Sequence, residues 1–227
     1  MILITRPKAQ ARLIKLKLKN MGYKVICYPQ LKIEFNINIT LPEVDLYNGL
    51  IITSQNTAQA IKDYVQLKDI NAHVVGEKTA KVLRNYGFKN IVSISNDYIE
   101  LISKIKEELP YLSKLLYLHG DHVAGDIKRK LMQYHIIDNL IVYKSVEIPM
   151  SKKILCFLRN KISMVLFYSP RTAALFAKNT IALNFLNISA ICISQNTADE
   201  LSSLNFKEVK IAKLPNEDSM LEHIINE

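Results

Sequence analysis

Four segments of this chain share one pattern, in which an apolar run gives way to a polar turn and then to a helix-forming stretch. Where a helix follows a parallel strand, the backbone N–H groups of its first turn point outward, and the helix dipole favours an anion there. Several such turns in one chain predict a ligand with several negative charges. The segments are LIITSQNTAQAI (residues 50–61), HVVGEKTAKVL (73–83), VLFYSPRTAALF (165–176) and AICISQNTADEL (190–201).

The polar side chains of these turns are candidate ligand contacts. Arg6 and Arg171 lie in comparable strand-to-helix turns, as Thr-Arg-Pro and Ser-Pro-Arg. Each could form bidentate hydrogen bonds with a carboxylate or remain solvated at the surface. Ser, Thr and Asn are also the preferred N-cap residues of ordinary helices, so for any single turn the structural interpretation stays open. The candidates besides the two arginines are Ser54, Asn56, Thr79, Ser169, Asn196 and Thr197.

Two further groups could do acid–base or metal chemistry. Tyr143, in the strand-like run LIVYKSVE, carries a phenol that can give a proton to a leaving group, although spacing alone does not distinguish it from a packed strand tyrosine. His119 and His122 stand three residues apart in LHGDHVAGD, with Asp121 and Asp126 nearby. This set supplies too few sure ligands for a metal, so we interpret it as a polar loop and predict no metal site.

Several well-known catalytic motifs are absent from the sequence. It contains no G-x-G-x-x-G after a strand, no G-x-x-x-x-G-K-[ST], no G-x-S-x-G and no H-E-x-x-H. Nucleotide-dependent and hydrolase chemistries are therefore disfavoured.

The composition is that of a globular protein. Hydrophobic residues make up 49% of the 227 positions, and no apolar run approaches the roughly 18 residues of a membrane span. The N-terminal run MILITRPK is expected to be a first strand and not a signal peptide, which predicts a cytoplasmic protein. Cys27, Cys156 and Cys192 are expected to be reduced thiols in the core.

The net charge of +9 is compatible with an acidic small molecule or with nucleic acid as the partner. A nucleic-acid interface would use the basic face from Lys15 to Lys24. The sequence contains no helix-turn-helix, RNP or zinc-finger pattern, so we expect neither a nucleic-acid partner nor a membrane partner.

Strand-like and helix-like segments alternate along the chain, which predicts an α/β fold with parallel sheets and crossover helices. The first helix follows Pro7, with Leu13, Leu16 and Leu18 as its apolar positions and Gly22 ending it. Later helices are predicted at about 57–65 and about 123–134. Correspondences at offsets of 114 to 118 residues, such as Ile4 with Leu118 or Ser54 with Ser169, indicate a duplicated unit and two similar domains.

Six short motifs occur in the order found in uroporphyrinogen-III synthases, and the chain resembles that family over nearly its whole length. They are TRP, TSQNTA, VVGEKTA, VYKSVE, YSPRTA and ISQNTA. The resemblance implies two Rossmann-like or flavodoxin-like domains with the active site in the cleft between them. Residues 1–33 and 149–227 would form the first domain and residues 37–143 the second. Residues 34–36 and 144–148 would be the two-stranded antiparallel linker.

The implied reaction closes the linear tetrapyrrole hydroxymethylbilane into uroporphyrinogen III, with loss of water, inversion of the last pyrrole ring and no cofactor. Backbone N–H groups of the turns, including that of Gly120, would hold the substrate carboxylates, and the protein would act as a monomer. Tyr143 matches the family's V-Y tyrosine, proposed to help the hydroxyl leave, and Thr79 and Thr197 match cleft threonines. Ser194-Gln195 stands where the family usually has Gly-Pro. A non-catalytic two-lobed module that binds a small polyanion is the alternative.

Overall fold

The computed structural model describes residues 1–123 and 125–225, except for the side chains of residues 8 and 9. The strands are β1 (Ile2–Ile4), β2 (Val25–Cys27), β3 (Leu31–Phe35), β4 (Gly49–Ile52), β5 (Ala72–Val75), β6 (Ile91–Ser95), β7 (Lys114–Gly120), β8 (Ile136–Glu147), β9 (Met164–Phe167), β10 (Ser189–Cys192) and β11 (Glu208–Ile211). The helices are α1 (Lys8–Asn20), α2 (Gln55–Ala60), α3 (Glu77–Asn85), α4 (Tyr98–Glu108), α5 (Ile127–Leu131), α6 (Lys152–Asn160), α7 (Pro170–Thr180), α8 (Gln195–Asp199) and α9 (Glu217–Ile225). None of the described helices is long and apolar enough to cross a membrane.

The chain divides into two compact units. Unit 1 comprises Met1–Lys32 with Val146–Glu227, and unit 2 comprises Ile33–Ser145. The chain leaves unit 1 within β3 and returns to it within β8, and these two strands are hydrogen-bonded neighbours. Residue 30 accepts a backbone hydrogen bond from residue 148, and residue 36 donates one to residue 142, so β3 and β8 run in opposite directions.

Unit 1 contains a five-stranded sheet in the order β11-β10-β9-β1-β2, in which the neighbouring strands are parallel. Apart from β3 at its edge, the sheet of unit 2 has the order β6-β5-β4-β7-β8, again with parallel neighbours. The predicted repeat pairs β7 and β8 with β1 and β2, and β4 with β9. The two sheets therefore have the same spatial order, which is the physical meaning of the offset of 114 to 118 residues. The predicted α/β fold with parallel sheets is confirmed.

Each sheet is covered by helices on both faces. In unit 1, one core cluster contains Phe167, Phe176 and Phe185, and a second packs β1 and β9 against α1 and α9. In unit 2, one cluster lies under α2 and α3 and the other under α4 and α5. Strands that are buried on both faces explain the continuous apolar runs of the sequence.

Helix α1 buries a different face from the one predicted. Leu13 and Leu16 are 70% and 57% exposed, whereas Ala11, Ile14 and Leu18 pack against the sheet. Positions 11, 14 and 18 follow the i, i+3, i+7 spacing of one helical face, which positions 13, 16 and 18 do not. The prediction was therefore right for Leu18 and wrong for the other two leucines.

Two helices are shorter than predicted. α2 spans six residues and is followed by a separate 3-10 turn, Val65–Leu67. α5 spans five residues and begins at Ile127, capped by Asp126. Gly125 has φ +94°, a left-handed conformation that interrupts a right-handed helix. Residue 124, which fell within that predicted helix, lies outside the described residues.

The three cysteines are free thiols in different environments. Cys192 is buried in β10 and Cys27 is half-buried in β2. Cys156 is exposed on α6, so the prediction of a core position was wrong for this residue. The buried face of α6 is formed by Ile154 and Leu158, which leaves position 156 on the solvent side.

Candidate active site

A cavity of about 390 Å³ lies within unit 2, at the carboxyl ends of its strands. The chain runs from β4 outward to β5 and β6, then returns to place β7 on the other side of β4. This reversal of strand order is where open α/β sheets bind ligands, because the loops diverge and leave a crevice. The polar groups that line the cavity include Thr53, Ser54, Asp97, His119, His122 and Tyr143.

Tyr143 lies across the backbone of Gly120, which β7–β8 pairing places directly opposite. A Cβ at Gly120 would stand 2.4 Å from Cζ of Tyr143, so only glycine leaves room for this ring. The ring is largely buried, at 7% exposure, and its hydroxyl donates to Oγ of Ser54 at 3.3 Å. The sequence predicts Gly120 as a backbone anion contact, and the structure shows that its lack of a side chain makes room for the tyrosine ring.

Ser54 connects the tyrosine to the first turn of α2. It is the N-cap of α2, and its Oγ accepts a hydrogen bond from N of Asn56 at 3.0 Å. A serine hydroxyl has two acceptor sites and one donor hydrogen. With Asn56 and Tyr143 both donating to Oγ, the hydrogen of Ser54 is left to donate to a third group.

His119 lines the same cavity beside a second tyrosine. Its ring centroid lies 4.5 Å from that of Tyr117, and its Nδ1 lies 2.6 Å from the carbonyl oxygen of Gly120. Burial, with a smaller contribution from the charge of Lys128, lowers the pKa of His119 below its usual value despite the opposing Gly120 hydrogen bond. Burial likewise raises the pKa of the Tyr117 phenol. Both groups are therefore neutral at pH 7.

The histidines of the LHGDHVAGD segment do not converge. Nδ1 of His122 pairs with Asp121 at 3.1 Å, while Nδ1 of His119 is held by Gly120. Among the described residues, no three His, Cys, Asp or Glu side chains are placed to hold a metal ion.

The other strand-to-helix turn of unit 2 that the sequence predicts as a ligand contact precedes α3. Gly76 has φ +84° and serves as the N-cap, and N of Thr79 donates to its carbonyl oxygen at 2.9 Å. Thr79 itself is buried, and Lys78 is exposed. Val75, the last residue of β5, lines the cavity, so this turn borders the same crevice as Ser54.

The two corresponding turns of unit 1 share the same arrangement, in which a serine hydroxyl lies beside a threonine hydroxyl. Ser169 caps α7, and its Oγ lies 3.0 Å from Oγ1 of Thr172. Ser194 precedes α8, and its Oγ lies 3.0 Å from Oγ1 of Thr197. Ser194 has an extended backbone, φ −158°, so this turn does not need the glycine conformation found at Gly76.

A threonine three residues after the cap recurs in all four turns, and in each it is buried. Thr79 and Thr197 were predicted from the sequence and the other two were not, although the cap-x-x-Thr spacing is visible in all four segments. Asn196 is exposed, and Asn56 and Arg171 are half-buried in the first turns of their helices. The recurrent threonines are Thr57, Thr79, Thr172 and Thr197.

Arg6 lies at the strand reversal of unit 1, between the ends of β1 and β9. Its guanidinium stands 4.4 Å above the ring of Tyr168, and Nη1 donates to Oε2 of Glu217 at 3.2 Å. Burial raises the pKa of Tyr168, and the nearby charge of Glu217 raises it further. Arg6, predicted to bind ligand, therefore already holds a carboxylate from its own chain.

The family model described as uroporphyrinogen-III synthase HemD matches residues 13–222 of this chain. The chain belongs to the uroporphyrinogen-III synthase family. The resemblance inferred from the six motifs is thereby confirmed, and the match covers both units.

Two curated proteins are similar to this uroporphyrinogen-III synthase family member. A protein of Methanocaldococcus jannaschii, which carries a provisional uroporphyrinogen-III synthase name, is 28% identical over 186 residues, covering 78% of this chain and 75% of its own. The porphyrin biosynthesis protein HemD of Ruminiclostridium josui is 23% identical over 246 residues, covering 99% of this chain and 48% of its own. The chain thus spans about half the length of the second relative.

Solved structures share the fold of this family member. The uroporphyrinogen-III synthetase of Helicobacter pylori has a TM-score of 0.69 at 20% identity, with 99% of this chain and 98% of that chain covered. A mutant uroporphyrinogen III synthase of Thermus thermophilus has a TM-score of 0.59 at 14% identity, with 100% and 98% covered. At these identities the likeness concerns the fold alone.

Proposed function

We propose that this chain catalyses the cofactor-independent closure of hydroxymethylbilane to uroporphyrinogen III, with loss of water and inversion of the last pyrrole ring. Membership of the uroporphyrinogen-III synthase family supports the reaction. The observation that carries the proposal for this chain is the buried Tyr143 hydroxyl, held on Ser54 over Gly120 inside a cavity at the strand reversal of unit 2.

Loss of hydroxide from the substrate requires a proton donor, and Tyr143 with Ser54 can supply one. Tyr143 donates to Ser54, which has one hydrogen left to give. We propose that Ser54 donates its hydrogen to the departing hydroxyl and that Tyr143 then donates its own hydrogen to Oγ of Ser54. A donor placed in this way acts as a general acid, which typically contributes about 10²- to 10⁴-fold to a rate.

The substrate carries carboxylates on every ring, and the polar turns supply donors for them. In unit 2 we propose the first turns of α2 and α3, with Asn56, Thr79 and the N–H of Gly120. Ser54 would contribute its backbone N–H, because its hydroxyl hydrogen is used by the departing group. The helices α2 and α8 span six and five residues, so their dipoles are weak and the hydrogen bonds carry most of the binding. In unit 1 the proposed contacts are Arg6, Ser169, Arg171, Asn196 and Thr197.

We propose that the two compact units correspond to the two domains expected from the sequence, residues 1–33 with 149–227 and residues 37–143. The protein is proposed to act as a cytoplasmic monomer, which a solution mass near 26.0 kDa would support.

Turnover distinguishes the enzyme from the alternative binding module. Purified protein is mixed with a large excess of hydroxymethylbilane, and substrate and product are followed over time after oxidation of the product to porphyrin. An enzyme converts many equivalents, whereas a binding module saturates at about one equivalent. Saturation without product would refute the proposal. Tyr143→Phe, which removes only the hydroxyl, is expected to slow turnover at least about 10²-fold with the fold intact.

A further inference from the structure

We propose that His119 accepts the proton that a pyrrole carbon of the substrate loses when the ring closes. This inference rests on the proposed function, because it assigns the base that the same reaction needs after the hydroxyl has left. His119 and Tyr143 line one cavity, so one site would contain both the donor and the acceptor.

The hydrogen-bond pattern around His119 selects the nitrogen that can accept a proton. Lys128 has only donors, and its Nζ lies 2.6 Å from Oδ1 of Asn139, which orients that amide. The amide nitrogen of Asn139 then faces Nε2 of His119 at 3.4 Å and must donate to it. Nε2 is therefore the unprotonated nitrogen.

The other side of the ring gives the same answer independently. Nδ1 lies 2.6 Å from the carbonyl oxygen of Gly120, which can only accept, so Nδ1 carries the hydrogen. Within the described part of the chain, the lone pair of Nε2 is used only by the long 3.4 Å contact with Asn139, which a substrate C–H group could displace. Burial and the charge of Lys128 keep the ring neutral and hence able to accept a proton at pH 7.

The other titratable groups of the cavity are less suited to this role. The Asp97 carboxylate is the N-cap of α4 and accepts from the N–H groups of residues 99 and 100 at 2.8 and 2.9 Å. His122 is 60% exposed and pairs with Asp121. Tyr143 is assigned to the donor side. The groups that face His119 are Tyr117 on its own strand, Asn139 on β8 and Lys128 on α5.

With Tyr143 and Ser54 as the donor and His119 as the acceptor, every proton that moves in the reaction has a source and a destination. The C–O bond of the hydroxymethyl group breaks, and the departing hydroxide takes a proton from Ser54 and Tyr143 to become water. For inversion, the substituted carbon of the last ring, which carries no hydrogen, first bonds to the hydroxymethyl carbon, and its bond to the neighbouring methylene carbon then breaks. The unsubstituted carbon of the same ring next bonds to that methylene carbon. Its C–H bond breaks, the electron pair restores the aromatic pyrrole, and the proton goes to Nε2 of His119. The imidazolium then gives this proton to solvent and the Tyr143 phenolate takes one back from solvent, so the enzyme ends in its starting state.

The test compares His119→Gln and His119→Phe with His223→Gln, a control histidine of unit 1 whose Nε2 lies 2.9 Å from the carbonyl oxygen of Ile211. Phenylalanine keeps a ring against Tyr117 but has no basic nitrogen. We expect both His119 variants to lose at least about 10²-fold in kcat with little change in KM, and His223→Gln to stay within about threefold of the unaltered protein. Added imidazole should restore part of the lost rate, which it would not do for a structural defect.

Two further readouts concern the proton itself. The kcat of the unaltered protein should fall at acidic pH as His119 becomes protonated. In the pH–rate profile of His119→Gln, this fall in kcat at acidic pH (the acid limb) should be absent. Substrate deuterated at the unsubstituted carbon of the last ring should show a larger deuterium isotope effect on kcat in the His119 variants, because deprotonation becomes slower. Unchanged kcat in both variants, a persistent acid limb or no imidazole rescue would overturn the proposal. The proposed function itself fails separately, if the unaltered protein makes no uroporphyrinogen III.

Discussion

Substituting Gly120 by alanine tests whether the position of the Tyr143 ring controls the rate. The added Cβ would lie 2.4 Å from Cζ, 2.5 Å from Cε2 and 2.8 Å from the hydroxyl oxygen. Ordinary van der Waals contact begins near 3.4 Å, so the ring must retreat by about 1 Å. The φ of Gly120 is not positive, so alanine adds no backbone strain and the clash is the main effect.

A displacement of about 1 Å at a catalytic group can cost about 10²-fold in rate, and overpacking typically costs about 1–3 kcal/mol of stability. We therefore expect Gly120→Ala to lose about 10²-fold in kcat while the free energy of unfolding falls by no more than about 3 kcal/mol. The assays are uroporphyrinogen III formation under saturating substrate and urea unfolding followed by circular dichroism.

A double-mutant cycle identifies the cause of the lost rate. In a Tyr143→Ala background there is no ring to displace, so Gly120→Ala should cause almost no further loss. Gly49→Ala is the matched control, because its Cβ would meet His73 at 3.2 Å near the opposite end of the same sheet. It is expected to alter stability and not kcat. If Gly120→Ala keeps the normal rate, or if its effect adds fully to that of Tyr143→Ala, then Gly120 does not control the rate through the position of the Tyr143 ring.

Three further predictions concern stability and the donor pair. Burial, and then the neighbouring His135, lower the pKa of His73 to about 4, so as the pH falls below 6.5 the unfolded chain binds the proton first. Relative to His73→Gln, the unfolding free energy should therefore be fully retained above pH 6.5 and fall by up to about 3 kcal/mol towards pH 4, measured by urea unfolding at each pH. Ile14→Ala should cost about 2–5 kcal/mol while Leu13→Ala costs under about 0.5 kcal/mol, and equal losses would contradict the face assigned to α1. Ser54→Ala should lower kcat to about the level of Tyr143→Phe, and the double variant should be no slower, whereas additive losses would separate the two hydroxyls.

The architecture was largely predictable because it depends on local patterns. Alternating strand-like and helix-like runs indicate crossover connections, and the repeat offset pairs elements that occupy equivalent places in the two sheets. Burial within a helix was less predictable. The apolar residues of α1 outnumber those that its buried face can take, so Leu13 and Ile14 cannot be distinguished by hydrophobicity alone.

The candidate site was predictable in part, since the strand-to-helix turns are visible as segments. The contacts that give the site its chemistry are distant in sequence. Tyr143 meets Ser54 across 89 positions and meets Gly120 only because β7 pairs with β8. The cavity that His119 lines and the pairing of Arg6 with Glu217, 211 positions apart, likewise arise only when the sheets form.

The isomer ratio of the product, measured as a function of enzyme concentration, decides whether this chain inverts the last pyrrole ring. Without enzyme, hydroxymethylbilane closes to the uninverted type I isomer, so each assay contains its own background. The porphyrins obtained after oxidation are separated by liquid chromatography. Uroporphyrin III should rise from the background to nearly all of the product as the protein is increased. Type I product alone at every protein concentration would contradict the account.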